Sequence, residues 1–170
     1  MQIANATVLI TGANRGLGLA FAREALARGA RKVYAAARDP SRVTLPGVVP
    51  VRLDVTNDDE VAAAARACGD VTLVINNAGR AFAYRLSGNA GAFEKAADEM
   101  LTNYLSVAGL TEQLLPLLTR QETAGIVNVT SIVAFAPFAG TPTYGASKAA
   151  LHSYTQSLRI TFPALHVFEL

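Results

Sequence analysis

Cysteine is nearly absent. Cys68 stands alone, so no disulfide framework holds the chain together. Histidine is almost as scarce, and His152 and His166 are too few and too badly spaced to build a metal site. Charge is sparse, at 16% of residues, and nearly balanced, at a net +2. Low charge with high apolar content excludes a globally disordered chain. A balance of this kind also lacks the basic stripe that nucleic-acid binding requires. No apolar run approaches the roughly 18 residues of a membrane span. Met1 to Asn5 carry neither the basic nor the apolar region of a secretory signal. These absences predict a protein of the reducing cytoplasm with no nucleic-acid and no membrane partner. What is abundant is apolar: 51% of the 170 residues are hydrophobic. One ordinary domain of this size buries about 70% of its unfolded surface, so a real core needs no staples.

The apolar residues come as short β-rich runs alternating with Ala-rich helical stretches. Strands are expected at Thr7–Thr11, Lys32–Ala37, Val48–Val55, Val71–Asn76, Gly125–Thr130 and Leu165–Leu170. Between them, Gly16–Arg28 reads as a helix closed by Gly29. A capping box at Thr56-Asn57-Asp58-Asp59 opens a helix to Cys68. A long helix runs from about Phe93 to Leu118, fraying at Pro116, and Thr141-Pro142 starts another that reaches about Ile160. Pro40 and Pro46 stunt any helix in Arg38–Gly47, and Ser87, Gly88, Asn89 and Gly91 mark Arg80–Gly91 as a loop. No repeat or linker interrupts the series, so residues 1–170 are expected to form a single domain. Strands of continuous Val, Ile and Leu are buried on both faces. The expected fold is therefore α/β: a doubly wound parallel sheet, helices on both faces, and a ligand crevice at the carboxyl ends of the strands.

The turn after the first strand reads Thr11-Gly12-Ala13-Asn14-Arg15-Gly16-Leu17-Gly18. Glycines there allow positive φ and close backbone approach. The helix N-terminus that follows offers free N–H groups and a positive dipole end to a phosphate. In isolation this is also how an ordinary Gly-rich turn reads; between a strand and a helix it points to dinucleotide binding. Gly12, Asn14, Arg15, Gly16, Leu17 and Gly18 are the candidate contacts.

Tyr144 and Lys148 are i and i+4 on one helix, sharing a face about 6 Å apart along its axis. A nearby ammonium favours the phenolate and is expected to lower Tyr144 from its ordinary value of about 10. Such a pair is a device for general acid–base work. Ser131, read as the end of the buried strand Val129-Thr130-Ser131, can hydrogen-bond a substrate oxygen beside that phenol. By itself it is equally a turn serine, and Thr130 competes with it. Asn103 is polar within an apolar helix, which alone makes it a packed asparagine with a local bond.

In these motifs the chain resembles the short-chain dehydrogenase/reductase family. The family's T-G-x-x-x-G-x-G turn is matched by Thr11, Gly12, Gly16 and Gly18, and its N-N-A-G by Asn76-Asn77-Ala78-Gly79. Y-x-x-x-K is matched by Tyr144 and Lys148, thirteen residues after Ser131, a spacing that favours Ser131 over Thr130. Asn103 matches the family's helix asparagine. The resemblance covers essentially the whole chain. It implies a Rossmann-type fold and an oxidoreductase moving a hydride between NADP(H) and a carbonyl or secondary alcohol. Under it, Tyr144 is the acid/base group and Ser131 orients the substrate oxygen. Lys148 holds the nicotinamide ribose and tunes Tyr144, while Asn103 anchors a water that links Lys148 to solvent. Asn77, Ala78 and Gly79 belong to the nucleotide site, as do Asp54, facing the adenine amino group, and Val55 beside it; without the resemblance Asp54 is a capping or turn residue. The helices around Phe93–Leu118 and Thr143–Ile160 would form a two-fold interface, giving a homodimer or homotetramer.

The slot that holds an acidic residue in NAD-binding domains, about 20 residues past the glycine motif, here holds Ala37, followed by Arg38. Arg15 sits just before the motif's second glycine. Two guanidiniums suit a ribose 2′-phosphate, so NADP(H) is expected over NAD(H). Two solvated arginines are the bland alternative, and a one-residue shift would bring the Asp39 carboxylate to the ribose instead. Family members continue past a sixth strand into a seventh strand and a substrate-covering segment, so the end at Glu169-Leu170 predicts a sheet without its seventh strand. That motivates a second reading, a catalytically silent NADP-binding regulatory protein. Ala134, Phe135, Pro137 and Phe138, with Phe82 and Tyr84, are candidates for an apolar substrate pocket or simply for loop packing. Cys68 and His152 are expected to be structural.

Overall fold

The structure is a computed structural model that describes residues 1–88 and 90–170; Asn89 of the expected loop lies outside the described residues. Six parallel strands form one sheet in the order β3-β2-β1-β4-β5-β6. They are β1 Thr7–Thr11, β2 Lys32–Ala37, β3 Val49–Arg52, β4 Leu73–Asn76, β5 Gly125–Asn128 and β6 His166–Glu169. The helices are α1 Gly16–Ala27, α2 Asp58–Ala67, α3 Ala92–Met100, α4 Ser106–Leu118 and α5 Tyr144–Thr161. The doubly wound α/β expectation is therefore what the chain folds into. The strand order reverses beside β1, which pairs with β2 on one edge and β4 on the other. In such sheets the crevice lies at that switch point.

Side-chain alternation explains why both faces are covered. Leu9, Val74 and Ile126 point to one face and pack with Leu110, Leu114 and Leu118 of α4, Val61 and Ala64 of α2, and Leu158 of α5. Val8, Ile10, Val33, Ala35 and Ile75 point to the other, against Ala22 and Ala25 of α1. The small residues of α1 let its backbone lie close to the sheet. Gly29, at φ 78°, ends α1 as expected. Its N–H donates to Leu26 O at 3.0 Å while Ala30 N–H donates to Ala25 O at 2.9 Å, the paired bonds of a Schellman cap.

Several boundaries differ from the expectation. β3 is only four residues long, because Pro50 sits on a sheet edge and Asp54 and Val55 turn away into the crevice. The cap of α2 is Asn57, not Thr56: its Oδ1 accepts from Glu60 N at 3.1 Å, while Thr56 bonds back to Asp54. The long helix is not continuous, since a π turn at Leu101–Leu105 separates α3 from α4. Pro116 lies inside α4 rather than at its frayed end. β5 stops at Asn128, so Ser131 does not end a strand; it caps a single 3₁₀ turn over Ile132–Ala134. Helix α5 starts at Tyr144 with Thr143 as its cap, later than Thr141-Pro142.

Candidate active site

The glycine turn leaves β1 at the switch point. Gly12 and Gly16 take φ of 66° and 56°, which only glycine adopts freely. Gly18 serves packing: a Cβ there would lie 2.3 Å from Gly12 O and 2.6 Å from Asn77 Nδ2. Thr11 and Asn77 lock the turn to the end of β4. Thr11 Oγ1 accepts from Asn77 N at 3.0 Å and Ala78 N at 2.9 Å, and Asn77 Nδ2 donates to Thr11 O at 2.9 Å.

The first turn of α1 has no side-chain cap and no acidic residue. Its first N–H groups are thus free donors at a positive dipole end, with no carboxylate competing for them. Such donors suit a phosphate, and they open into a cleft of about 720 Å³. The residues present fit a dinucleotide. Of the expected contacts, Gly12, Asn14, Arg15, Gly16, Arg38, Asp54, Val55, Asn77, Ala78 and Gly79 line the cleft. Leu17 projects into solvent and Gly18 is buried behind the turn, so neither lines it.

The charged end of the cleft holds more cations than expected. Arg42 joins Arg15 and Arg38 there. The signal for it was the Pro40 turn that the sequence marks only as a stunted helix. Asp39 accepts from Ser41 N at 3.1 Å and Ser41 Oγ at 2.6 Å, capping that turn. The Ser41 bonds hold its carboxyl below the usual range. Asp54 accepts from Thr56 N at 3.0 Å and Thr56 Oγ1 at 2.8 Å. Burial pushes its pKa up, but those bonds, with Arg38 and Arg80, hold it below the ordinary value. Arg80, paired with Asp98, also lines the cleft, next to Leu101 and Thr102. Arg42, Arg80, Asp98, Leu101 and Thr102 went unrecognised because their side chains converge only through the fold.

Tyr144, Lys148 and Ser131 come together at the carboxyl end of β5. Lys148 Nζ lies 5.7 Å from the Tyr144 ring centroid and donates to Val129 O at 2.7 Å. The Ser131 hydroxyl faces the phenol. Thr130, the competitor, is turned away, its hydroxyl donating to Leu170 O at 2.9 Å. The expected depression of Tyr144 is not what the surroundings produce. Burial raises its pKa above 10, Ser131 opposes this, and the charge of Glu99 adds to it. Lys148 is itself buried, and burial pushes its pKa down to about 8; its charge is not among the influences that set the Tyr144 phenol.

Asn103 is fully buried in the π turn. Its Oδ1 accepts from Arg80 N at 2.8 Å, and its Nδ2 donates to Arg80 O at 2.7 Å and Ser147 Oγ at 2.9 Å. A Cβ on Gly79 would meet Asn103 Oδ1 at a tight 3.2 Å and Lys148 Nζ at an ordinary contact distance of 3.7 Å, so Asn103 and Lys148 both face that backbone. Phe135 and Phe138 are 64% and 62% exposed beyond Ser131, and Phe135 packs edge-on against His152 at 4.5 Å. His152 bonds Glu169 at 2.8 Å, tying α5 to β6. Cys68 is buried and its thiol is pushed up to about 12. Among the described residues there is no cluster of metal-ligating side chains, and no helix is long and apolar enough to cross a membrane.

Comparison with known proteins yields the same pattern. A sequence profile for short chain dehydrogenases matches residues 6–165. An uncharacterized oxidoreductase of Bacillus subtilis, DltE, is 33% identical over 168 residues, covering 94% of this chain and 66% of its own. A short chain dehydrogenase from Burkholderia cenocepacia in complex with NADP superposes with a TM-score of 0.93 at 36% identity, covering 99% of this chain and 72% of that one. A short chain dehydrogenase/reductase from Burkholderia phymatum in complex with NAD gives 0.88 at 28% identity, covering 99% and 66%. The chain spans 55% to 66% of the length of three curated relatives that it matches.

Proposed function

The chain belongs to the short chain dehydrogenase family, and on that premise we propose that it is an NADP(H)-dependent oxidoreductase interconverting a carbonyl compound and a secondary alcohol. The observation that carries this reading is the convergence of Ser131, Tyr144 and Lys148 at the sheet edge that also bears the phosphate cradle.

When bound, the nicotinamide nucleotide supplies or takes up the reducing equivalent. The side chains do the rest. Ser131 donates a hydrogen bond to the carbonyl oxygen and orients it. Tyr144, kept protonated by burial, delivers its phenolic proton to that oxygen as negative charge develops there. Lys148 has one N–H committed to Val129 O, which leaves two donors for ribose hydroxyls. Asn103 fixes the Arg80 backbone and, with Lys148, faces Gly79. A water held there would return a proton toward Tyr144. Arg15, Arg38 and Arg42 in the lining of the cleft favour a 2′-phosphate, and the Ser41 bonds engage one oxygen of Asp39, which also lines the cleft. The same reading takes residues 1–170 as one cytoplasmic nucleotide-binding domain that associates as a homodimer or homotetramer.

The test is NADPH oxidation, followed by absorbance, over a panel of ketones and aldehydes. At least one member should turn over, and Tyr144→Phe should slow it by about 10²-fold or more. Nucleotide binding without turnover, by this chain and by any longer form of it, would remove the enzymatic reading and leave an NADP-binding regulator.

A further inference from the structure

Between the two halves of the site lies a carboxylate that neither half uses. Glu99, in the last turn of α3, is fully buried. None of the ion pairs among the described residues includes it. Burying a carboxylate is costly unless both oxygens are bonded, and here they are. Oε1 accepts from Phe82 N at 2.7 Å, and Oε2 accepts from the Thr143 hydroxyl at 2.5 Å. With that proton committed, Thr143 Oγ1 accepts from the Tyr84 phenol at 2.9 Å. Each contact to Glu99 is a donor, so the site is built for the anion. Thr143 is the cap of α5, an 18-residue helix whose positive end therefore faces the carboxylate.

The segment after the N-N-A-G turn is held at alternate residues, as extended chain allows. Asn103 takes both backbone groups of Arg80, Glu99 takes the amide of Phe82, and Tyr84 N donates to Gly140 O at 3.0 Å. Glu99 bonds this segment to the α5 cap, beside the direct Tyr84–Thr143 hydrogen bond, and the residue after that cap is Tyr144. We propose that Glu99 is a positioning residue of the reaction site, whose carboxylate locks the Arg80–Tyr84 segment, the start of α5 and hence Tyr144 into one unit. The inference rests on the reading of Tyr144 as the acid/base group, but its test needs no turnover. The charged and polar groups facing Tyr144 are Glu99 from α3, Lys148 from α5 itself and Ser131 from the turn after β5. Glu99 is the anion of the three, and it resists ionisation of the phenol.

Two measurements on the nucleotide-free protein decide the matter. One is ultraviolet titration of the phenol, each variant read against the same variant carrying Tyr144→Phe, so that the other tyrosines cancel. The other is hydrogen exchange of the Phe82 and Tyr84 amides. Glu99→Gln should lower the Tyr144 midpoint and speed both amides at least about tenfold. Thr143→Val keeps the charge and cuts the bridge, so Tyr84 should exchange faster with the midpoint unmoved; Thr143→Ser should behave as the parent. An unmoved midpoint or unchanged exchange in Glu99→Gln overturns the proposal. If that variant does not fold, undiminished protection of Tyr84 in Thr143→Val overturns it. A chain that turns over no carbonyl yet shows these shifts upholds the positioning role and counts only against the oxidoreductase reading.

Discussion

At the scale of single residues, nucleotide choice rests on point charges. Each arginine at a 2′-phosphate makes charge-assisted bonds worth about 1.5–3 kcal/mol. Arg38→Asp removes one such cation and sets a carboxylate against the phosphate. Affinity for NADPH should fall at least about tenfold, since about 1.4 kcal/mol is one decade, while affinity for NADH holds or rises. Arg15→Ala should discriminate in the same direction with a smaller swing, because it adds no repulsion. Calorimetric titration of both nucleotides checks this; equal losses for the two would show that Arg38 does not read the 2′ position. Lys148 makes a separate prediction about stability. Its folded value, about 8, lies below the ordinary 10.5. Between those values the unfolded chain binds more protons, so this group's contribution to stability rises with pH across that window. Below pH 8 the buried ammonium is a liability of about 3 kcal/mol. Lys148→Met should therefore be most favourable relative to the parent near pH 7 and lose that advantage toward pH 10.5, read as the difference between denaturant midpoints.

At the scale of elements, the glycine turn separates two reasons for having no side chain. A Cβ on Gly18 meets the Gly12 backbone at 2.3 Å, whereas a Cβ on Gly16 meets nothing within 4 Å. Gly16→Ala should cost only the left-handed backbone strain, about 1–2 kcal/mol. Gly18→Ala must push α1 away from the β1 turn and should cost about 3 kcal/mol or more. Chemical denaturation that ranked them in reverse would refute this account of the turn. The π turn at Leu101–Leu105 is a further device of this scale. It carries Asn103 and begins two residues after Glu99, and both of those side chains reach the Arg80–Tyr84 segment.

For the whole molecule, the sheet presents two edge strands of different character. β3 carries Pro50, which cannot donate to an added strand. Self-association is expected through the helices instead, where Leu105 is 51% and Ile160 is 82% exposed. A closed two-fold pairing of those faces gives a fixed mass. Addition at the β6 edge would instead give a mass that grows with concentration. Light scattering should show a dimer or tetramer, shifted toward monomer by Leu105→Glu with Ile160→Glu. A monomer at high concentration in the unaltered chain would refute the helix interface.

Much of this protein is determined within short stretches of its sequence. Continuous apolar runs such as Val8-Leu9-Ile10 dictate strands buried on both faces, and hence a parallel sheet between helix layers. Gly29 ends α1 through its own φ, and the glycine turn after β1 needs only its neighbours to be legible. The ordered motifs around Gly12, Asn77, Ser131 and Tyr144 are likewise legible as short local patterns. The features decided by tertiary structure are those whose cause lies far along the chain. Which residue caps α2 or α5 depends on where the preceding loop is pinned. Arg42 enters the nucleotide cleft because Asp39 caps a turn beside β3. Tyr144 is harder, not easier, to ionise, first because its phenol is buried and then because the charge of Glu99, 45 positions earlier, adds to that effect. Sequence spacing places an ammonium one turn from that phenol, but whether the ammonium acts on it depends on burial, and burial is a property of the assembled fold.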